Sequence, residues 1–338
     1  MKKLTAILMG LIVIVAVFTG CGNGGSKQDV TPTPGTTATL VEMKIGSLKG
    51  PTSMGLVYLM KQAEENKAAN NYDFTMYTSA DELLPLITKG ELDIAMIPAN
   101  VASVLYNKTN GAISVIDVNT LGVLYMVSGD EGIKSLQDLK AKTIYMTGKG
   151  TVPEYVLSYL LKSNNMEAGK DVKIEFKSEP TEVASILAQD PSAIGLLPQP
   201  FVTSAMLQNQ QLKIVLDLTE QWNSVQGKGG STLLTGVTVI RNEFLKKNEG
   251  AVKSFLKEYK ASTEYVNSNV KDAAQLVAEK EIVAKAAIAE KAIPYCNITY
   301  MDGEDMKAAL SGYLQVLFDQ NPTSVGGKLP GEDFYYIP

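Results

Sequence analysis

The sequence predicts an α/β chain of two βαβαβ lobes, their mostly parallel sheets covered by helices and joined by two crossing hinge strands. Short continuous apolar runs, read as buried strands, alternate with i, i+3, i+4, i+7 stripes, read as helices. At an offset of 100 residues, segments 45–104 and 145–204 repeat one order of these patterns. With 338 residues, 45% of them hydrophobic, the chain has enough apolar side chains for two cores.

Taken in order, the chain opens on Lys2 and Lys3, an apolar run from Leu4 to Phe18, and then Thr19-Gly20-Cys21. This is the layout of a cleaved export signal, shorter than the ~20 residues that span a bilayer. Residues Gly22 to Thr39 are rich in Gly, Ser, Thr and Pro and read as a flexible tether with a typical span of roughly 25 Å.

In the repeat, Ile45-Gly46-Ser47-Leu48-Lys49-Gly50 lies over Tyr145-Met146-Thr147-Gly148-Lys149-Gly150, each a strand ending in Lys-Gly. Helical stripes follow at Leu56, Leu59, Met60, Ala63 and at Val156, Tyr159, Leu160, Ser163. A second strand pair, Phe74–Ser79 and Ile174–Glu179, leads into helices starting near Glu82 and Glu182. The third pair is Asp93–Pro98 and Ala193–Pro198. Identities are six in sixty, so the repeat speaks for shared topology rather than recent duplication, and the general rhythm of α/β chains is its plain alternative.

Ile113–Ile116 and Gly122–Val127 read as strands between the repeats, as do Lys213–Leu218 and Thr235–Ile240 after them, separated by a polar stretch from Gln221 to Ser231. Everything after Arg241 reads as helical and is expected to pack back on the first lobe. The expected organisation is a signal peptide at 1–20, a tether at 21–40, lobe one from 41–127 with 235–338, and lobe two at 128–234. Crossings are expected near Leu124–Ser128 and Thr235–Ile240, forming a hinge.

Composition excludes much chemistry. No residue is His, which removes Ser/His/Asp and Cys/His nucleophile systems and the commonest transition-metal ligand. Lys plus Arg number 31 against 36 Asp plus Glu, which gives no footing for nucleic acid. The spacing of Gly148, Lys149, Gly150 and Thr151 fits no phosphate loop, and no dinucleotide fingerprint follows the first strand. No metal site, cofactor or catalytic residue is expected. Cys296, the only cysteine besides Cys21, reads as a buried small hydrophobe.

In open parallel sheets ligands sit beyond the carboxyl ends of the strands, where helix N-termini present free N–H groups. The candidate ligand-binding residues are therefore Lys49, Gly50, Pro51, Thr52, Ser53, Ser79, Pro98 and Asn100 in lobe one, with Gly148, Lys149, Gly150, Thr151, Glu154 and Gln199 facing them. Each has an ordinary alternative as a turn, cap or solvated side chain. Trp222, the sole tryptophan, is a candidate stacking or lid residue, and Tyr125 stands open between core and cleft. Arg241 reads as structural or surface.

Val17-Phe18-Thr19-Gly20-Cys21 resembles the bacterial lipobox, with Phe18 where Leu is usual. Gly90-Glu91-Leu92-Asp93-Ile94-Ala95-Met96-Ile97-Pro98-Ala99-Asn100, Leu197-Pro198-Gln199-Pro200 and Ser135–Ile144 resemble the nitrate/sulfonate/taurine group of ABC-transporter solute-binding proteins, which also holds binders of thiamine-pyrimidine precursors. The resemblance implies a type II periplasmic-binding-protein fold, lipidation at Cys21 and anchorage outside the cytoplasmic membrane. It also implies a monomer that closes on one small-molecule solute and docks on an ABC permease and its ATPase. A ligand-presenting module for a membrane sensor is the alternative, and an enzyme of the same fold the remote one.

Overall fold

The computed structural model describes residues 40–227 and 230–338. The expected signal peptide, Cys21 and the tether up to residue 39 lie outside the described residues. The first half runs β1 (Glu42–Leu48), α1 (Pro51–Met54), α2 (Val57–Glu64), β2 (Asn71–Tyr77), α3 (Ala80–Lys89), β3 (Ile94–Pro98), α4 (Ala99–Lys108) and β4 (Ile113–Leu121). Next come β5 (Leu124–Ser128), β6 (Thr143–Met146), α5 (Val152–Ser163), β7 (Lys173–Phe176), α6 (Pro180–Gln189), β8 (Ile194–Pro198), α7 (Phe201–Gln208), β9 (Lys213–Asp217) and α8 (Leu218–Gln226). The chain then follows β10 (Leu234–Arg241), α9 (Asn242–Lys247), α10 (Glu249–Ser268), α11 (Val270–Glu279), α12 (Ala286–Ala292), β11 (Ile298–Met301) and α13 (Gly303–Gln320).

Two sheets form, in the orders β11-β4-β10-β3-β1-β2 and β7-β6-β8-β5-β9. In each, three parallel strands (β2-β1-β3 and β7-β6-β8) are followed by an antiparallel one, β10 or β5. The repeat is thus real at the level of topology, and α3 and α6, β3 and β8 keep the 100-residue offset to the residue. Each antiparallel strand enters its sheet from the other lobe, because β5 follows β4 and β10 follows α8. This double exchange ties the lobes together.

Buried side chains cover both faces of each sheet, as an α/β sandwich requires. Ile45, Ile94 and Ile240 pack with Phe255 and Tyr259 of α10, while Ala95, Ile97 and Val239 pack with Leu83, Leu105 and Leu314. This second core continues through Trp222 and Tyr313 into Val156 and Leu160 of the other lobe.

Three expectations are corrected. The crossing strands are not strands where they cross. Leu124–Val127 pairs with β8 inside the second sheet, so the lobe-one boundary at 127 falls too late and the chain changes sheets at Gly122-Val123. Likewise β10 pairs from Leu234 with β4, and the return lies between α8 and β10. The segment after Arg241 is not wholly helical, since β11 adds to the edge of β4. Nor do its helices stay on the first lobe: α12 packs on α7 and α13 on α5. Among the described residues, no helix is long and apolar enough to cross a membrane.

Candidate functional site

Parallel pairing brings strand ends together. Leu48 lies beside Tyr77 and Ser47 beside Met96, so β1, β2 and β3 finish on one edge and open into α1, α3 and α4. Met146 lies beside Phe176 and Leu196, which gives β6, β7 and β8 a matching edge leading to α5, α6 and α7. The two edges meet at the crossing. Gly236 stands opposite Pro98, Leu234 opposite Leu121 and Leu124 opposite Pro198, while the Gln199 N–H donates to the Val123 carbonyl at 3.1 Å. The interlobe cleft above Gly122-Val123 is therefore the candidate site.

Most of the helix N-termini on these edges are already occupied by the chain's own acceptors. Glu82 accepts from the Thr78 N–H at 3.3 Å and from its hydroxyl at 2.9 Å, and Glu182, one repeat later, accepts from the Ser178 N–H at 3.4 Å. Glu154 takes the Gly150 N–H, and the Gln199 Oε1 takes the Thr203 N–H at 3.3 Å. Each of these carboxylates stands in the first turn of α3, α5 or α6 and reaches back to an N–H ahead of the N-cap, where its charge opposes a second anion. Helices α1 and α4 carry no acidic residue in the first turn, nor does α7, whose Thr203 N–H instead meets the Gln199 amide oxygen. Both starts, Gly50–Ser53 and Pro98–Asn100, belong to lobe one.

The remaining nominated residues fall into distinct roles. Gly50 holds φ 136°, a conformation reserved for glycine, and lets the chain turn from β1 into Pro51 at the first position of α1. Thr52 and Ser53 are buried, and both hydroxyls donate to the Leu48 carbonyl; Ser53 also meets the Ser47 hydroxyl at 2.6 Å. These hydroxyls fix the turn, and with the Ser53 N–H donating to the Gly50 carbonyl at 3.1 Å the backbone N–H groups this loop can offer are those of Gly50 and Thr52. Lys49 is exposed, with Glu281 at 3.9 Å, and Ser79 is exposed at the start of α3. Asn100 donates to the Ser324 carbonyl at 3.2 Å. In lobe two, Gly148 and Gly150 hold φ near 82° and 72°, Thr151 donates back to the Gly148 carbonyl at 2.6 Å, and the Lys149 ammonium lies 5.7 Å from the Phe176 ring centre.

Trp222 is corrected outright. It is fully buried on α8, 4.8 Å from the Tyr159 ring centre and 5.9 Å from that of Tyr313, and its indole N–H donates to the Ser231 carbonyl at 2.9 Å. The supposed polar loop is an amphipathic helix whose buried face is Leu218 and Trp222. Tyr125 is core as well, its hydroxyl donating to the Tyr295 carbonyl at 2.7 Å and held protonated by burial. Cys296 is buried, and desolvation pushes its thiol far above the ordinary range.

A polar chain in the first sheet escaped the sequence reading. The Asn119 amide donates to the Thr238 hydroxyl at 3.2 Å, which donates to the Asp117 carboxyl at 3.0 Å, and all three are fully buried. Burial raises the Asp117 carboxyl well above its ordinary value, against the lowering hydrogen bond from Thr238. A Cβ on Gly236 would lie 2.4 Å from both the Asn119 side-chain oxygen and the Thr52 methyl, so this chain sits directly beneath α1. The signal for it was Asp117 and Asn119 within the Ile113–Leu121 strand, whose first half is largely apolar.

Residues 64–224 match the family model described as the phosphonate ABC transporter periplasmic substrate-binding protein. No curated protein matches the sequence. Among solved structures, an ABC transporter from Parabacteroides distasonis is 24% identical with a TM-score of 0.72, over 89% of this chain and 99% of that one. The periplasmic aliphatic sulphonate binding protein SsuA from Escherichia coli is 15% identical with a TM-score of 0.68, over 88% and 92%. A Candida albicans protein described as exhibiting the generic periplasmic binding protein fold is 14% identical with a TM-score of 0.54, over 87% and 99%. With two sheets of this order and these likenesses, the chain has the periplasmic-binding-protein fold.

Proposed function

We propose that this chain is an extracytoplasmic solute-binding protein, lipid-anchored through Cys21, that captures a small oxyanion-bearing organic solute between its lobes and delivers it to an ABC importer. One observation carries the choice of solute. Of the helix starts on the two facing edges, those of α3, α5 and α6 carry a glutamate in the first turn and those of α1 and α4 carry no acid. An anion entering the cleft is repelled where a glutamate stands and attracted where none does. The solute's anionic group is placed against lobe one, at Gly50–Ser53 and Pro98–Asn100, and its remainder faces Gly148–Glu154. Phosphonates and sulfonates have this charge, in keeping with the matched family model and with the sulphonate binding printed for the Escherichia coli protein. The proposed role is capture without turnover.

The test is titration calorimetry of the chain from residue 22 onward with methylphosphonate, methanesulfonate and taurine. Pro51→Glu places a carboxylate at the first position of α1, where Glu suits the helix but opposes an anion. Expected is binding of at least one of the three, weakened about tenfold or more by Pro51→Glu, that is by about 1.4 kcal/mol. Binding untouched by Pro51→Glu would place the anion elsewhere.

A further inference from the structure

We propose a second ligand site on the hinge side of the molecule, a cavity of about 380 Å3 that takes a small carboxylate with an apolar body. It stands without the cleft reading, and Gln199, a cleft candidate in the sequence, lines this cavity with its side chain. Helix α7 contributes Thr203, Met206 and Leu207, and β9 contributes Ile214; Lys291 from the last turn of α12 and Tyr295 close the other side. The cavity thus bridges lobe two and the C-terminal segment, beside the crossing at Gly122-Val123, where the Asn297 amide donates to the Gly122 carbonyl.

Two independent observations point to an occupant. Gln199 lines the cavity and is 2% exposed; its Oε1 is held by the Thr203 hydroxyl at 2.9 Å, while its Nε2 has no hydrogen-bond partner. A buried donor left unpaired is costly, and an incoming acceptor would recover that cost. In addition, Leu207 and Tyr295 are 42% and 48% exposed, and both of these large apolar side chains rim this one cavity. An amide donor and the Lys291 ammonium favour a carboxylate. The thioether, branched and aromatic walls favour an apolar body, and the volume lies at the small end of the roughly 300–1,000 Å3 of ligand pockets.

The probe is 3-phenylpropionate, titrated into the chain from residue 22 onward with 13C-methyl methionine labelling, with 3-phenylpropanol as the uncharged control. Expected is a saturable shift of the Met206 methyl resonance with the carboxylate, at least tenfold weaker with the alcohol, and about tenfold weaker in Gln199→Met and in Lys291→Met. Lys291 is a surface residue, so its variant keeps the test intact should Gln199→Met fail to fold. An unmoved Met206 resonance at millimolar probe, or equal binding by wild type and Lys291→Met, would overturn the site. Pro51→Glu is expected to leave the Met206 response unchanged, which separates this proposal's failure from that of the cleft reading.

Discussion

At the scale of single residues, the motif Gly90 to Ala95 turns out to act through structure. Gly90 holds φ 80° and ends α3, and three residues later Asp93 accepts from the Lys44 N–H at 3.0 Å and pairs with the Arg241 guanidinium at 2.7 Å. One carboxylate thus ties β1, β3 and β10, and Arg241 is structural, as one of its two sequence readings had it. The pair is largely buried, so Asp93→Ala is expected to cost about 3 kcal/mol by urea unfolding, because the guanidinium is left uncompensated. Asp117 behaves in the opposite sense. Its folded carboxyl titrates above its unfolded value, so the folded state binds the extra proton, and the stability it contributes is present at low pH and lost as pH rises through the folded value. Asp117→Asn is expected to raise the melting temperature relative to wild type at pH 8 and to lose that advantage near pH 4; a constant difference across this range would contradict the assignment. Residue types alone did not disclose these roles. Thr52 and Ser53 look like ligand hydroxyls until the Gly50 turn forms and brings the Leu48 carbonyl within their reach.

Among the elements, the strands and helices of the repeat were legible because burial imposes period and length, and α3, α6, β3 and β8 sit where the 100-residue offset puts them. The crossings were less so. A strand's apolar pattern says that it is buried but not which sheet buries it, so Leu124–Ser128 and Thr235–Ile240 could be found without being assigned. Helix α8 was missed because its polar face, Glu220, Gln221, Asn223 and Ser224, dominates its composition, and only Leu218 and Trp222 mark the buried side. The tertiary partner of that side, Tyr313 of α13, lies far along the chain. Trp222→Ala is therefore expected to cost about 3–5 kcal/mol. The emission of the single tryptophan is expected to be blue-shifted and insensitive to cleft solutes; a solute-dependent quench would return Trp222 to the cleft.

For the whole molecule, the legible part was the pairing of two α/β lobes with strand ends facing one another. What sequence could not supply was the asymmetry between the lobes. The same repeat that aligns Glu82 with Glu182 and Lys49 with Lys149 leaves α1 without an acid while α5 carries Glu154, and only the fold shows that these helix starts share the facing edges. This asymmetry is the central claim. It is tested most directly by backbone amide chemical shifts of the 15N-labelled chain from residue 22 onward, recorded with and without methylphosphonate and methanesulfonate. Expected are the largest shifts at Gly50, Thr52, Ala99 and Asn100, with Thr78, Gly150 and Ser178 moving little because their N–H groups keep their glutamate partners. Shifts concentrated at Thr78, Gly150 and Ser178, or no shift with either anion at millimolar concentration, would contradict it.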